Sequence, residues 1–430
     1  MQEFFQIVGG RPLSGRVTVS GAKNGSLPLL IATLLSAEPV TIRNVPRLED
    51  IGVLRALLEQ LGAEVTPLTP TDYRLATPRL IATETSYSLV KALRASFWVL
   101  APLLARGGAA RVALPGGDII GARPVDIHLD GLVKMGADIK VKHGVVLAEA
   151  PHGLRPAEIE FRFPSVGATH QILMAASLVP GTTVLRGAAR EPEVIALCSL
   201  LSGMGAEIEG AGSSTIIIKG QEQLGGAEIS VLGDRIEAAT MICAAAATGG
   251  QVTVDGFDPE HLGSFRDVVS QMGVALAFTE RGVTVDATRG LDGVHVTTAP
   301  YPGFATDMQA PLMAALSVAR GESRIEETMF EGRFGHVSEL ARLGASIRVE
   351  DRTAIITGVG RLTGAPVEAS DIRAAAALVI GGLAATGTTH IAEPFHLRRG
   401  YDGLVAKLQG LGATVSTGVT DPDDVVLSGC

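Results

Sequence analysis

The sequence predicts an α/β protein of two domains, each assembled from three copies of one unit of about 70 residues. Three observations carry this. A short [Leu/Met]-Gly-[Ala/Val] motif recurs six times, helices apolar almost all round recur six times, and the N-terminal stretch repeats a pattern found mid-chain. At 430 residues the chain is also too long for one compact core.

The motif stands at Leu61-Gly62-Ala63, Met135-Gly136-Ala137, Met204-Gly205-Ala206, Met272-Gly273-Val274, Leu343-Gly344-Ala345 and Leu411-Gly412-Ala413. Successive glycines are 74, 69, 68, 71 and 68 residues apart. Each copy closes a predicted helix. Over residues 50–61 the apolar positions are 51, 54, 57, 58 and 61, a single stripe, with polar Glu59 and Gln60 between. The glycine ends the helix in a left-handed cap, and the alternating residues after it read as a strand.

The second recurring element covers residues 27–35, 95–105, 172–179, 238–247, 311–319 and 374–385. A helix without a polar face is buried. Each is followed by small residues and a short strand, as at Thr182-Thr183-Val184-Leu185. The unit is therefore strand, buried helix, strand, amphipathic helix, strand. Phe5–Ser20 resembles Ile217–Val231, so it reads as the closing strand pair of a unit whose remainder lies at the C-terminus. This divides the chain into domain 1 at 22–232, carrying a loop at 115–121, and a discontinuous domain 2 at 1–21 plus 233–430. Crossings near Gly21 and Gly233 predict a hinge and an active site in the interdomain cleft. The tail 421–430 reads as a terminal strand or a frayed end.

Composition excludes several classes. With 46% apolar and 19% charged residues the chain is not disordered. Mean hydropathy is +0.31, yet no apolar run reaches the roughly 18–20 residues of a membrane helix. A net charge of −9 argues against nucleic-acid or anionic-lipid partners. The N-terminus has no secretory pattern. Three cysteines without metal spacing, Cys198, Cys243 and Cys430, fit a reducing cytoplasm, and Cys198 and Cys243 fall in apolar helical patterns as small core residues. No metal site is expected.

The unusual residues cluster where the buried helices begin: Gly21-Ala22-Lys23-Asn24, Lys91-Ala92-Leu93-Arg94, Ser165-Val166-Gly167, Asp234-Arg235-Ile236-Glu237, Thr306-Asp307-Met308-Gln309 and Asp371-Ile372-Arg373. A cation at a helix N-terminus opposes the helix dipole by up to about 1 kcal/mol. Lys23, Arg94, Arg235 and Arg373 share this register, which reads either as salt bridges to local acids or as an anion site. The other strand-to-helix loops add Leu114-Pro-Gly-Gly-Asp118-Ile-Ile-Gly121-Ala-Arg123-Pro124, Phe330-Glu331-Gly-Arg333 and Arg398-Arg399-Gly400-Tyr401. The glycine-flanked 115–121 is either a mobile lid or an ordinary solvated turn.

These segments carry a resemblance. GAKN at 21–24, LRASFW at 93–98, LPGGDIIGARPVD at 114–126, SVGAT at 165–169, AAREPE at 188–193, DRIE at 234–237, TDMQA at 306–310, FEGRFGH at 330–336, DIRA at 371–374 and RRGY at 398–401 run in order through nearly the whole chain. Together they resemble the UDP-N-acetylglucosamine 1-carboxyvinyltransferase family. The resemblance implies the two-domain inside-out α/β barrel of the enolpyruvyl transferase fold. It also implies the reaction of the first committed step of peptidoglycan synthesis: the 3′-hydroxyl of UDP-N-acetylglucosamine adds to C2 of phosphoenolpyruvate, and phosphate leaves. No cofactor is implied. Lys23, Arg123 and Arg399 would hold the phosphoenolpyruvate phosphate, Arg333 and Arg373 would add positive potential around its carboxylate, and Asn24 would also contact phosphoenolpyruvate. Asn24 and Asp307 would contact the sugar, Asp307 as base for the hydroxyl. Arg94, Arg123, Pro124, Val125, Asp126, Ser165, Val166, Gly167 and Met329 would position the nucleotide sugar. Trp98, one turn after Arg94, is either site-facing or core.

One departure stands out: the family usually has cysteine where this chain has Asp118, although some members carry aspartate. A carboxylic acid can protonate C3, but its reference pKa of about 3.9 must then rise. Arg123 would oppose that rise, and bound phosphate would favour it. The resemblance implies an active enzyme that resists fosfomycin, an epoxide trapped by the usual cysteine thiolate. A smaller departure is Phe163, where some relatives have lysine; Arg162 is its neighbour. The alternatives are 3-phosphoshikimate 1-carboxyvinyltransferase on the same fold and a non-catalytic regulatory paralogue that binds a UDP-sugar. GAKNGSLP and SVGAT speak against the first, and Lys23, Arg123, Asp307 and Arg399 speak against the second.

Overall fold

The computed structural model describes residues 2–118, 120–121 and 123–420. The tail 421–430 and Ile119 of the loop at 115–121 lie outside the described residues. The chain forms two compact units. One, the terminal unit, comprises Met1–Ser20, Asp118–Ala122 and Gly233–Cys430; the other, the central unit, comprises Gly21–Gly117 and Arg123–Leu232. Each has its own hydrophobic core.

Six sheets share one plan. In the central unit, Glu158–Glu160 runs parallel to Gly181–Arg186, which pairs antiparallel with Thr215–Gly220, itself antiparallel to Glu207–Glu209. Four other sheets repeat this order. The sixth has three strands, Ala109–Ala113, Val145–Glu149 and Asp138–Lys142, and a parallel bridge from Glu84 to Arg111 occupies its fourth place. The N-terminal strands complete the plan as their likeness to Ile217–Val231 predicts. Gln2–Val8 lies between Thr388–Ala392 and Thr414–Thr420, with Phe5 opposite Ile391 and Thr417. Ser14–Thr18 pairs in parallel with Gln251–Asp255, as Ala227–Ser230 does with Val40–Arg43.

The apolar helices are the interior of each unit. In the terminal unit Arg235–Ala247, Gln309–Leu316 and Ile372–Ala384 pack on one another, and every residue of Gln309–Leu316 is buried. Small side chains permit this closeness: a Cβ at Gly381 would sit 2.8 Å from Leu343 of an outer helix. In the central unit Lys23–Ala32 and Val166–Ser177 are likewise buried along nearly their whole length. The predicted helix at 95–105 is instead a 3-10 segment, Arg94–Val99, leading into Leu100–Gly107. Pro102, which lacks an N–H, stands in the first turn of that α-helix, where the missing donor costs least. The outer helices, such as Glu49–Leu61 and Pro192–Gly203, end at the six predicted glycines, all at positive φ between 84° and 117°. That conformation costs glycine nothing and other residues about 1 kcal/mol or more.

Among the described residues no helix is long and apolar enough to cross a membrane. Cys198 and Cys243 are buried, and burial pushes the Cys198 thiol up to about 12, which fits core residues rather than nucleophiles.

Candidate active site

In the terminal unit, the starts of two inner helices and a loop bring Asp307, Arg333 and Arg373 together. Asp307 lies in the 3-10 turn Thr306–Met308, and Arg373 opens the helix Ile372–Ala384. Asp371 caps that helix by accepting from the backbone N–H groups of Arg373 and Ala374, which fixes the Arg373 backbone. Arg333 Nη2 donates to Asp307 Oδ1 at 2.6 Å, and Arg373 Nη2 donates to Asp307 Oδ2 at 3.1 Å. Both arginine side chains are only 7% exposed. Burial alone would push the Asp307 carboxyl up, but the Arg373 and Arg333 guanidiniums together hold it well below the usual carboxylate range.

Two more predicted residues pair in the same unit. Arg399, on the short helix Phe395–Gly400, donates from Nη1 to Asp118 Oδ1 at 2.8 Å. Arg399 is buried and Asp118 about one-fifth exposed. Ile120 is buried, its carbonyl accepts from Gly332 N–H at 3.1 Å, and a Cβ at Gly121 would lie 2.7 Å from the Glu331 carboxyl carbon. Ile120 and Gly121 therefore pack with the 331–333 loop. Arg399 is thus a charge neighbour of Asp118, one that the sequence pattern, with Arg123 five residues on, does not reveal. Met329 is half-buried, and its N–H donates to Glu327 Oε1 at 2.8 Å.

In the central unit, Lys23 is the first residue of its helix and is buried; its Nζ lies 2.6 Å from Asp50 Oδ2. This is the salt-bridge reading of a helix-start cation, though with an acid 27 positions away rather than a local one. Asn24 beside it is half-buried. Arg94 begins the 3-10 segment and donates from Nη2 to the Arg123 carbonyl at 2.7 Å. Burial, then the Arg123 charge, lowers the Arg94 guanidinium to about 10. Gly117 packs on Arg94, and a Cβ there would meet Arg94 Cβ at 3.2 Å. Pro124 is exposed, Val125 half-buried, and Asp126 forms an ion pair with Arg162. That contact, chiefly the hydrogen bond from Arg162, lowers the Asp126 carboxyl. Phe163 is 41% exposed.

Ser165 caps Val166–Ser177, its Oγ accepting from Ala168 N–H at 3.3 Å. Val166 and Gly167 form the first turn. A Cβ at Gly167 would approach Trp98 Nε1 to 2.8 Å and His128 Cε1 to 2.9 Å. Trp98 is half-buried against the core, with its indole nitrogen toward Gly167. His128 and His170 lie beneath this turn, and burial lowers both imidazoles to about 4. His128 Nδ1 is 2.6 Å from Gln171 Oε1.

Among the described residues no group of three or more His, Cys, Asp or Glu side chains is placed to hold a metal ion. The arrangement offers buried cations for anions, and carboxylates within their reach.

Comparison with known proteins agrees with this chemistry. The family model described as EPSP synthase (3-phosphoshikimate 1-carboxyvinyltransferase) matches residues 7–408. A UDP-N-acetylglucosamine 1-carboxyvinyltransferase from Azorhizobium caulinodans is 50% identical over 420 residues, covering 95% of this chain and 98% of the relative. One from Solibacter usitatus is 50% identical over 412 residues, covering 96% and 98%. Among solved structures, the enolpyruvyl transferase NikO from Streptomyces tendae has a TM-score of 0.88 at 28% identity, covering 98% of this chain and all of the other. EPSP synthase from Acinetobacter baumannii, at 17% identity and a TM-score of 0.75, covers 97% of this chain and all of its own, and shares the fold. Half of all positions matched over the full length, on the enolpyruvyl transferase fold, means that the chain belongs to the UDP-N-acetylglucosamine 1-carboxyvinyltransferase family.

Proposed function

We propose that the protein transfers the enolpyruvyl group of phosphoenolpyruvate to the 3′-hydroxyl of UDP-N-acetylglucosamine and releases phosphate, as a cytoplasmic enzyme of peptidoglycan synthesis. The observation that carries this reading is the Asp307 carboxylate held between two buried arginines. The hydroxyl oxygen forms a bond to C2 while Asp307 takes its proton, and C3 receives a proton from Asp118. The tetrahedral intermediate then loses the C2–phosphate bond and a C3 proton, giving the enol ether and inorganic phosphate.

Asp307 is a weak base while both arginines face it. Phosphoenolpyruvate brings a carboxylate and a phosphate, and each guanidinium it engages is withdrawn from Asp307, which raises the proton affinity of that carboxyl. In the same way a phosphate that takes up Arg399 leaves Asp118 beside an anion, and two anions favour sharing a proton. Lys23, Arg123 and Arg399 hold the phosphate in this reading, and Arg333 and Arg373 the carboxylate, with Asn24 beside them. Arg94, Arg123 to Asp126, Ser165 to Gly167 and Met329 place the nucleotide sugar. The two sets of residues serve one reaction.

The test is phosphate release from purified protein given phosphoenolpyruvate, with and without UDP-N-acetylglucosamine. Release that depends on the nucleotide sugar supports the assignment. Binding of the nucleotide sugar without phosphate release supports a regulatory paralogue instead. Release that depends on shikimate 3-phosphate supports the sister reaction.

A further inference from the structure

The two arginines around Asp307 are built alike. Each guanidinium forks: Nη2 goes to Asp307, and Nη1 goes to a hydroxyl. For Arg333 the hydroxyl is Thr306 Oγ at 2.8 Å. For Arg373 it is Tyr401 Oη at 3.1 Å. A hydroxyl has one hydrogen and two lone pairs, so its partners decide which of these a neighbour meets. Thr306 donates its hydrogen to Glu327 Oε2 at 2.8 Å. Glu327 is fully buried and accepts at Oε1 from Thr298 Oγ at 2.9 Å, Met329 N–H at 2.8 Å and Phe330 N–H at 3.2 Å. On the other side, Thr240 donates to the Ile236 carbonyl at 2.8 Å, so at 3.0 Å from Tyr401 Oη it must accept the tyrosine hydrogen. Both hydroxyls therefore have their hydrogens committed elsewhere and present lone pairs to the arginines.

We propose that Thr306 and Tyr401 are positioning residues that hold Arg333 and Arg373 by Nη1, so that each Nη2 can pass from Asp307 to a substrate anion without the guanidinium moving. This deepens the proposed function and rests on it. Without the Nη1 anchor, an arginine that releases Asp307 has no second fixed partner of this kind, and part of the anion's binding free energy goes into ordering it. Glu327 stands behind Thr306 and also ties the backbone at Met329, so one buried carboxylate fixes both the Arg333 anchor and a segment predicted to meet the sugar.

The test uses Thr306→Val, which keeps the shape and loses the hydroxyl, Thr306→Ser, which keeps the hydroxyl, and Tyr401→Phe. Steady-state kinetics are measured with each substrate varied, alongside thermal unfolding. A hydrogen bond to a charged group sets the scale at roughly 10-fold. Thr306→Val and Tyr401→Phe should each raise KM for phosphoenolpyruvate about 10-fold, with KM for UDP-N-acetylglucosamine within about two-fold of wild type. Thr306→Ser should restore the wild-type value. Equal impairment of Thr306→Val and Thr306→Ser, or an unchanged KM for phosphoenolpyruvate in Thr306→Val and Tyr401→Phe, overturns the proposal. If Thr306→Val does not fold, Tyr401→Phe alone decides. Wild-type protein that does not turn over the substrate pair defeats the proposed function itself, which separates the two failures.

Discussion

Asp118→Asn isolates the proton that the reaction needs at C3. Asparagine matches aspartate in shape and keeps an acceptor oxygen for Arg399 Nη1, now 2.8 Å from Oδ1, so the packing of Ile120 and Gly121 on the 331–333 loop survives. What is lost is the ability to carry and give a proton. Arg399 is 9% exposed and Asp118 21%, so removing the aspartate charge from this largely buried pair costs stability up to about 3 kcal/mol. A positioned general acid contributes about 100- to 10,000-fold to rate. Asp118→Asn should therefore lower kcat by two to four orders of magnitude, with KM for UDP-N-acetylglucosamine nearly unchanged. Phosphate release at saturating substrates measures it, with thermal unfolding as the control for folding. A variant that keeps more than about a tenth of wild-type kcat refutes Asp118 as the acid. Asp118→Cys extends the test, because a thiol can also give a proton and its thiolate can open an epoxide to form a thioether. That variant should keep activity and be inactivated by fosfomycin, gaining the mass of one inhibitor molecule, whereas the wild type should be insensitive. Stoichiometric inactivation of the wild type refutes the reading.

The remaining predictions use the same clusters. Asp307→Asn should lower kcat by about 100- to 10,000-fold, yet it should bind phosphoenolpyruvate more tightly, because Arg333 and Arg373 no longer face a competing carboxylate; calorimetry showing unchanged or weaker binding contradicts this. Lys23→Met should destabilise the central unit by about 3 kcal/mol by removing the cation from a buried pair; urea unfolding followed through Trp98, the chain's one tryptophan, reads it, and an unchanged midpoint counts against it. The same fluorescence tests the buried histidines, since the Trp98 and His170 ring centroids are 5.1 Å apart. Burial lowers His128 and His170 from 6.5 to about 4, so the unfolded chain binds more protons between those values. Their stabilisation is whole above about 6.5 and is lost as pH falls toward about 4, roughly 1 kcal/mol each by pH 5.5. Glu237 in the terminal unit has the opposite sign: burial raises its carboxyl from 4.5 to about 7 despite Lys407, so its contribution is whole below about 4.5 and lost as pH rises through about 7. Acidification from pH 7.5 to 5.5 should thus lower the stability by about 1 kcal/mol net, the two histidines outweighing Glu237, and a rise in stability would contradict the neutral, buried assignment of the histidines.

What the sequence disclosed and what it withheld follow from one distinction. Repeats, buried helices and glycine caps are local periodicities, and each unit must satisfy them by itself; Gly62 and Gly412 take the same φ region though 350 residues separate them. The Asp118–Arg399 pair is different in kind. It joins residues 281 positions apart, and no local pattern in either segment implies the other. Two of the acids missed by sequence reasoning did leave a local trace. Asp50 precedes Leu54, Leu57 and Leu61 at helical spacing, so it falls on the buried stripe of its own helix. Glu327 continues the inward parity of Ser323 and Ile325 from the strand Glu322–Glu326. A carboxylate in a register that the period assigns to the core cannot remain unpaired there without a cost of several kcal/mol. Each therefore announces a partner, Lys23 Nζ for Asp50 and four donors for Glu327, although it does not say where in the chain that partner lies. Both of these acids hold residues assigned here to the chemistry, Lys23 directly and Arg333 through Thr306. An ionisable residue that breaks its own element's burial pattern is thus a local sign of a buried polar partnership, legible before the partner is known.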